Sequence, residues 1–214
     1  MSKNVRSKLQ EPAGPKREQA KQRRKPDQRI QRTGERLGMA LLELIQQKPI
    51  REVTVQEVLD RASVGRSTFY LHYRDKYDLL LSQLEVFLEI QSTALTIRKE
   101  ESLRVVPVAE LFEHIHSAKK LYRALADSDR LNEFFDLAQT YFARGIERRL
   151  KDSGRLPCLP QQELAARASA LAGSMLSLFR WWMDRGAKES PQAMDELFHR
   201  MVWNGLQESA IPRP

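Results

Sequence analysis

The chain has 214 residues, of which 41% are apolar and 30% are charged, with a formal net charge of +8 at pH 7. That length and apolar content suffice for one large or two small folded domains. A single cysteine, Cys158, excludes a disulfide framework within the chain and is typical of a reducing cytoplasm. Because no run of about 18 uncharged apolar residues is present and no apolar segment follows the basic N-terminus, we predict neither a membrane span nor a signal peptide.

The positive charge is concentrated at the N-terminus. Residues 1–32 contain 11 basic and 3 acidic residues, which leaves 25 of each sign in residues 33–214. A basic arm on a neutral body indicates a polyanionic partner. On composition alone, a solubilising tail is the alternative interpretation.

The arm itself comprises residues 1–26, which are polar, contain three prolines and show no apolar periodicity. We therefore predict that it is disordered in isolation. Its densest basic cluster consists of Lys21, Arg23, Arg24 and Lys25. A helical extension from Lys16 to Lys25 is the alternative.

The first helix is predicted from Pro26 or Asp27 to Gln47. Leu37, Leu41, Leu44 and Ile45 recur at helical spacing and form one apolar stripe. Lys48 and Pro49 end the helix. These apolar residues are predicted to form the core of a small helical unit.

Two short helices and the start of a third follow in residues 53–80. Thr54 and Glu57 have the spacing of a capping box at the start of the first short helix. Ser63-Val64-Gly65 breaks that helix, and a second runs from about Arg66 to Tyr73. Asp75 caps the next helix. Two short helices joined by a tight turn are typical of a helix-turn-helix, which holds one helix in the DNA major groove.

The second short helix presents a polar outer face. At 100° per residue, Tyr73 faces the core together with Phe69, while Ser67 and Leu71 point outward. Thr68 and Tyr70 lie on the flanks, and Arg66 is long enough to reach outward. This mixture suits base and phosphate contacts in a major groove. For His72, nearer the inner face, a phosphate contact and a partly buried helix-end histidine both remain open.

Two further features point to DNA phosphates. Lys76 lies in the first turn of the helix that Asp75 caps, where free N–H groups and an ammonium form an anion site. The basic cluster of the arm precedes the first helix, where it can follow the DNA backbone or enter the minor groove. Residues 34–81 carry seven basic and seven acidic residues, so the arm is predicted to supply much of the non-specific attraction.

The segment from Val53 to Leu80 resembles the N-terminal DNA-binding domain of TetR/AcrR-family transcriptional regulators. The matching positions are Thr54, Glu57, Ala62-Ser63-Val64, Ser67-Thr68-Phe69-Tyr70, His72-Tyr73, Lys76 and Leu79-Leu80. The family usually has glycine in place of Ser63 and phenylalanine in place of Tyr73. The resemblance implies an all-helical dimer that binds a palindromic operator, usually as a repressor released by a small ligand. It also implies DNA contacts at Arg66, Ser67, Thr68, Tyr70, His72, Lys76 and, through a phosphate, Thr54.

The remainder of the chain is predicted to be helical, giving an all-α protein. We assign residues 27–80 to the DNA-binding domain and 81–214 to a ligand-binding and dimerisation domain. Breaks are predicted at Lys99–Val106, at Asp127-Ser128-Asp129 and in the Leu156–Pro160 loop that holds Cys158. The predicted helices are Tyr77–Arg98, Val108–Ala126, Arg130–Lys151, Gln161–Arg185 and Pro191–Glu208.

The last two helices, residues 161–208, are the candidate dimer interface. The first of them is rich in alanine and glycine, which lets helices approach closely. Packing of this pair against the same pair of a second copy would give a two-fold four-helix bundle. The family resemblance implies the same arrangement.

Aromatic and polar-tipped residues in the middle helices are candidates for an effector cavity, although plain core is the favoured interpretation of any single one. They are Phe112, His116, Phe134, Tyr141, Phe179 and Trp182. His114 and His116 lack the i, i+4 spacing of a metal pair, and Cys158 has no nearby Cys or His. We therefore predict no metal and no cofactor.

The sequence thus predicts a dimeric DNA-binding transcriptional regulator. A DNA-binding architectural or scaffolding protein of the same fold, without an effector, is the alternative. An enzyme is disfavoured because no nucleophile–base set, metal-ligand spacing or Gly-rich phosphate loop is present.

Overall fold

The computed structural model describes residues 16–126, 130–154 and 159–206, with the backbone alone for residues 16–28, Lys119 and Leu206. Within these ranges the chain forms nine α-helices and one 3-10 helix and contains no strand, which confirms the predicted all-α fold. None of these helices is long and apolar enough to cross a bilayer. The helices are α1 (Lys16–Gln47), α2 (Val55–Ala62), α3 (Arg66–His72), α4 (Lys76–Ile97), α5 (Val108–Ser117), α6 (Lys119–Ala126), α7 (Leu131–Asp152), α8 (Gln161–Asp184) and α9 (Pro191–Leu206), with the 3-10 helix at Ile50–Glu52.

The N-terminal unit packs α2 and α3 between α1 and the start of α4. Its centre consists of Leu37 and Leu41 from α1, Leu59 from α2, Phe69 from α3 and Leu79 from α4, all fully buried. The predicted apolar stripe of the first helix therefore faces this core. Burial of a leucine- or phenylalanine-sized side chain stabilises the fold by about 1.5–3 kcal/mol, so these contacts fix the angle between α2 and α3.

The first helix begins at Lys16, earlier than the predicted start at Pro26 or Asp27. Residues 16–25 are thus helical, as in the alternative of a helical extension, and disorder of the arm in isolation stays a prediction. They consist of Lys, Arg, Glu, Gln and Ala, which are all strong helix formers. Pro26 lacks one backbone donor but does not end the helix. Residues 1–15 of the predicted arm lie outside the described residues.

The helix predicted over Val108–Ala126 is divided at Ala118, whose backbone angles of φ −94° and ψ 35° are not helical. The physical reason lies in the packing partners of the two halves, because α5 packs mainly against α9 whereas α6 packs mainly against α1. The break at Ala118 lets α6 turn toward α1, with Leu125 buried.

The C-terminal helices are built around α7, which crosses α4 and lies along α8, while α9 packs mainly against α5. Gly145 marks the crossing of α7 and α4. A Cβ atom built on Gly145 would lie 2.2 Å from the backbone oxygen of Ser92 on α4. The absence of a side chain at Gly145 therefore sets how closely the two helices approach.

An arginine cluster holds the loop between α4 and α5 against α7 and α9. Arg149 of α7 donates to the carbonyl oxygens of Glu100, Ser102 and Arg104. Arg104 in turn pairs with Glu110 of α5 and, at 2.9 Å, with Asp195 of α9. These bonds anchor α9 to the rest of the domain.

Parts of three predicted segments lie outside the described residues. They are the Asp127-Ser128-Asp129 junction, Cys158 with most of its loop, and the predicted helix residues after Leu206.

Candidate functional site

The first helix of the helix-turn-helix starts at the predicted capping box. The Thr54 hydroxyl accepts from the Glu57 N–H at 3.2 Å, and the Glu57 carboxylate accepts from the Thr54 N–H at 2.8 Å. Lys48, the residue after α1, pairs with the same carboxylate at 2.6 Å. The Lys48 hydrogen bond is the largest of the causes that lower the pKa of Glu57 to about 2, followed by the bonds from Thr54. The spacing of Thr54 and Glu57 predicted the capping box, but nothing in the sequence indicated that Lys48 pairs with it.

Replacing Glu57 by glutamine is expected to lower the melting temperature at neutral pH. Because the carboxyl pKa falls from 4.5 to about 2 on folding, its contribution is present above about pH 4.5 and is lost as the pH falls toward 2. The difference in melting temperature between wild type and Glu57→Gln should therefore shrink between about pH 6 and pH 3, measured by circular dichroism.

The matched control is Glu52→Gln. Glu52 is exposed and makes only a 3.9 Å ion pair with Arg51, so this variant should melt like wild type at each pH. A Glu57→Gln deficit that stays constant across this pH range would contradict the capping-box account.

The turn between α2 and α3 depends on Ser63, which adopts the left-handed conformation with φ 50° and ψ 50°. This conformation gives a physical reason for the glycine that the resembling family usually has at this position. Arg36 of α1 donates to the carbonyl oxygens of Ala62 and Ser63 and so closes the end of α2. Arg36 was not predicted, because its role depends on a contact 26 residues away in the sequence.

The outward face of α3 is close to the predicted one. Phe69 is fully buried, and Tyr73 packs beside it with ring centroids 5.6 Å apart. Leu71 is 76% exposed and Tyr70 is 53% exposed, and Ser67 is exposed as well. The Tyr70 ring meets that of Phe69 edge-on, with centroids 5.2 Å apart, but Tyr70 and Leu71 are both too exposed to be core residues.

The flanking residues of α3 differ in their surroundings. Arg66 is exposed and donates to the side-chain oxygen of Gln56 on α2 at 3.0 Å, whereas Thr68 is half-buried. His72 is exposed, contrary to the expected position near the inner face. The reason is that α3 ends at His72, so no further helical turn covers this side chain. The interpretation of His72 as a partly buried helix-end residue is therefore wrong.

Asp75 caps α4 as predicted, accepting from the N–H groups of Tyr77 and Asp78 at 2.8 Å each. The Lys76 ammonium, however, donates to the carbonyl oxygens of Arg51 at 3.1 Å and Val53 at 2.5 Å. Burial lowers the pKa of Lys76. Lys76 therefore ties α4 to the 3-10 helix before α2, and a phosphate contact through its remaining hydrogen stays a prediction.

The cluster of Arg23, Arg24 and Lys25 lies on the N-terminal half of α1. Its side chains are outside the description, so their part in DNA binding stays a prediction. Among the described residues, no group of three or more His, Cys, Asp or Glu side chains is placed to hold a metal ion.

An apolar cavity of about 150 Å³ lies where the N-terminal unit meets α5, α6 and α7. His114 stacks on Phe87 at one side of it, with ring centroids 4.5 Å apart. Gln83 and Tyr122 are the other polar-tipped residues of the wall. The lining comprises Leu42, Leu80, Gln83, Leu84, Phe87, His114, Ile115, Ala118, Leu121, Tyr122, Leu125 and Phe134.

Of the six predicted cavity residues, only Phe134 lines this cavity. Phe112, Phe179 and Trp182 are buried against one another, with Phe112 5.1 Å from each of the other two rings. His116 lies beside Trp182, and its buried Nδ1 has no hydrogen-bond partner among the described residues. Tyr141 donates to Glu85 at 2.8 Å on the other side of α4. Most of the six predicted residues thus form a packed cluster and, apart from Phe134, none of them lines the cavity beside it.

A two-helix motif with an exposed polar and aromatic helix, set on a bundle, defines a helix-turn-helix DNA-binding protein. Comparison with known families agrees with this class. Residues 39–82 match the sequence model of bacterial regulatory proteins of the tetR family, and residues 108–204 match that of a transcriptional regulator C-terminal region. The chain belongs to the TetR family of transcriptional regulators.

Solved structures share the fold. The dihydroxyacetone kinase operon activator DhaS is 13% identical, with a TM-score of 0.62 over 81% of this chain and 96% of its own. A TetR-family regulator from Syntrophomonas wolfei is 20% identical, with a TM-score of 0.55 over 85% and 98%. A TetR transcriptional regulator from Streptococcus agalactiae is 23% identical, with a TM-score of 0.53 over 83% and 97%. No curated protein matches the sequence.

Proposed function

We propose that this TetR-family regulator is a cytoplasmic homodimeric repressor that binds a palindromic operator and is released by a small apolar effector. The exposed face of α3 carries the proposal, because Tyr70 and Leu71 face solvent on a helix that the fully buried Phe69 fixes to the core. Such a face gains its partner when the helix enters a major groove.

The outer surface of α8 supports a dimer. Ala166, Ala170, Ser174 and Ser177 are exposed at helical spacing, and Trp181 is 43% exposed at the end of the same stripe. Since α8 packs mainly on α7 and α9 mainly on α5, the outer faces of both helices remain open. A second copy packed there would place two recognition helices about a two-fold axis, as a palindrome requires.

The apolar cavity supports an effector. Its wall includes Leu42 of α1 and Leu80 and Gln83 of α4 on one side, and α5, α6 and α7 on the other. A molecule inside would contact both the N-terminal unit and the C-terminal helices, so a difference in its affinity for two domain arrangements changes operator affinity. An apolar cavity of about 150 Å³ is of a size that accommodates a one-ring aromatic compound.

The architectural alternative is favoured by the solid packing of Phe112, Phe179 and Trp182 and disfavoured by the cavity beside them. Activation is an alternative to repression, because one structural neighbour is named an operon activator. A reporter gene behind the bound site distinguishes repression from activation.

Selection of bound fragments from random DNA tests the proposal. We expect one two-fold symmetric sequence, whose complex dissociates when one-ring aromatic compounds such as toluene, phenol or benzyl alcohol are added. Ala118→Leu adds three carbon atoms to the cavity wall and should reduce this release at least tenfold, measured by fluorescence anisotropy of labelled operator.

The matched control is Ala126→Leu, the same substitution at an exposed residue of α6 outside the cavity. It should release like wild type. Selection of an asymmetric site would contradict the palindrome. Operator binding that none of the compounds changes, or that Ala118→Leu leaves equally sensitive, would favour the regulator without an effector.

A further inference from the structure

A second cavity, of about 240 Å³, lies on the opposite side of α6 from the apolar one. One wall is the segment from Ile45 to Ile50, where α1 ends and the 3-10 helix begins. The other wall is formed by Lys120, Arg123 and Ala124 of α6. The cavity therefore joins the N-terminal unit to the C-terminal helices, and it shares no lining residue with the apolar cavity.

Three cationic side chains from the two walls converge on this cavity: Lys48, Lys120 and Arg123. Lys120 donates one hydrogen to the carbonyl oxygen of Gln46 at 2.5 Å, which leaves two of its three donors. Arg123 is exposed, and no hydrogen bond or ion pair joins it to another described residue. A guanidinium whose five donors are unpaired among the described residues, at a cavity mouth, fits an oxyanion.

The opposing negative charges are fewer. The Glu57 carboxylate pairs with Lys48, and the C-terminal carbonyls of α1 contribute about half a negative charge. Asp127 and Asp129 follow Arg123 in the sequence but lie outside the described residues. Against three full positive charges, the described surroundings leave the cavity cationic.

The base of the cavity is apolar. Ile45, Ile50 and Ala124 are buried there, and the aliphatic stems of the cations border them. The amides of Gln46 and Gln47 add hydrogen-bonding groups to the wall. This combination suits a short carbon body below a charged head.

We propose that this cavity binds the carboxylate or phosphate head of a small organic anion. The anion contacts Arg123 and Lys120 of α6 and Lys48 beside α2 at once, and so ties α6 to the DNA-binding unit. Because Lys48 also holds the Glu57 carboxylate, the anion reaches the capping box of α2 through a single side chain. This site is independent of the apolar cavity and of the operator proposal.

Titration of the full-length protein with butyrate and with propyl phosphate, at constant ionic strength set by sodium chloride, tests the site. Binding is followed by isothermal titration calorimetry, with neutral butyramide as the matched compound. We expect saturable binding of at least one anion and none of butyramide. Arg123→Met, which keeps the apolar stem, should weaken the anion at least tenfold.

Arg148→Met is the matched control variant, because Arg148 is exposed on α7 outside the cavity. It should bind the anion like wild type. Equal affinity in both variants, equal binding of butyramide, or binding of neither anion would overturn the proposal. So would a loss of operator affinity in Arg123→Met without any anion, since the cluster would then be a DNA phosphate contact. Operator selection by wild type is unaffected by these outcomes and tests the proposed function separately.

Discussion

Gly145→Ala is expected to destabilise the protein by about 1–3 kcal/mol, the usual cost of forcing an added carbon into a packed core. The new Cβ would lie 2.2 Å from the Ser92 carbonyl oxygen and 3.0 Å from its carbon. Since these are backbone atoms of α4, no side-chain rotation relieves the contact, and α7 must move away from α4. Alanine gains about 1 kcal/mol of helix propensity over glycine, which offsets only part of this cost.

Urea unfolding followed by circular dichroism measures the effect. Gly205→Ala is the matched control, because a Cβ at Gly205 on α9 meets nothing within 4 Å. The control should be as stable as wild type or slightly more stable. If Gly145→Ala were also as stable as wild type, the close crossing of α4 and α7 at Ser92 would be wrong.

The helix boundaries were predictable wherever a local bond sets them. Thr54 and Asp75 accept from the first N–H groups of α2 and α4, and Ser190 accepts from the Ala193 N–H at the start of α9. Each such bond joins residues at most three apart, so the spacing of residue types reveals it. The break at Ala118 has no proline, glycine or cap in the sequence and follows from packing alone.

The candidate sites also contain features that the local sequence predicts and features that depend on distant contacts. Burial of Phe69 and exposure of Leu71 were predictable, because α3 has a single inner face and the helical angle places the two residues on opposite sides. The bonds from Lys76 to Arg51 and Val53 span more than 20 residues and depend on a 3-10 helix that has no sequence signal. A cavity is a gap left by several crossing helices, so aromatic composition near Phe112 did not locate it.

Arg66→Ala and Tyr70→Ala are each expected to reduce operator affinity by roughly 1–3 kcal/mol, a factor of about 5 to 150, if they contact bases or adjacent phosphates. Both side chains are exposed, and neither belongs to the core around Phe69, so dimer and fold should persist. Combining the two substitutions should bring operator affinity down to that for random DNA. Fluorescence anisotropy with operator and scrambled duplexes measures both affinities.

The arm provides a contrasting variant. Deletion of residues 1–25 removes basic charge without touching α3, so it should weaken binding to operator and scrambled DNA alike. It should also flatten the salt dependence, by roughly 0.9 in log–log slope for each DNA phosphate that the arm neutralises in the wild-type complex. An unchanged slope would argue against DNA binding by the arm.

Arg148→Ala on α7 controls for the loss of an exposed arginine remote from α3. It should bind operator like wild type. The decisive quantity is the ratio of operator affinity to scrambled-DNA affinity, which should fall in Arg66→Ala and Tyr70→Ala and stay constant on deletion of the arm. If both single variants kept the wild-type ratio, α3 would not be the recognition helix.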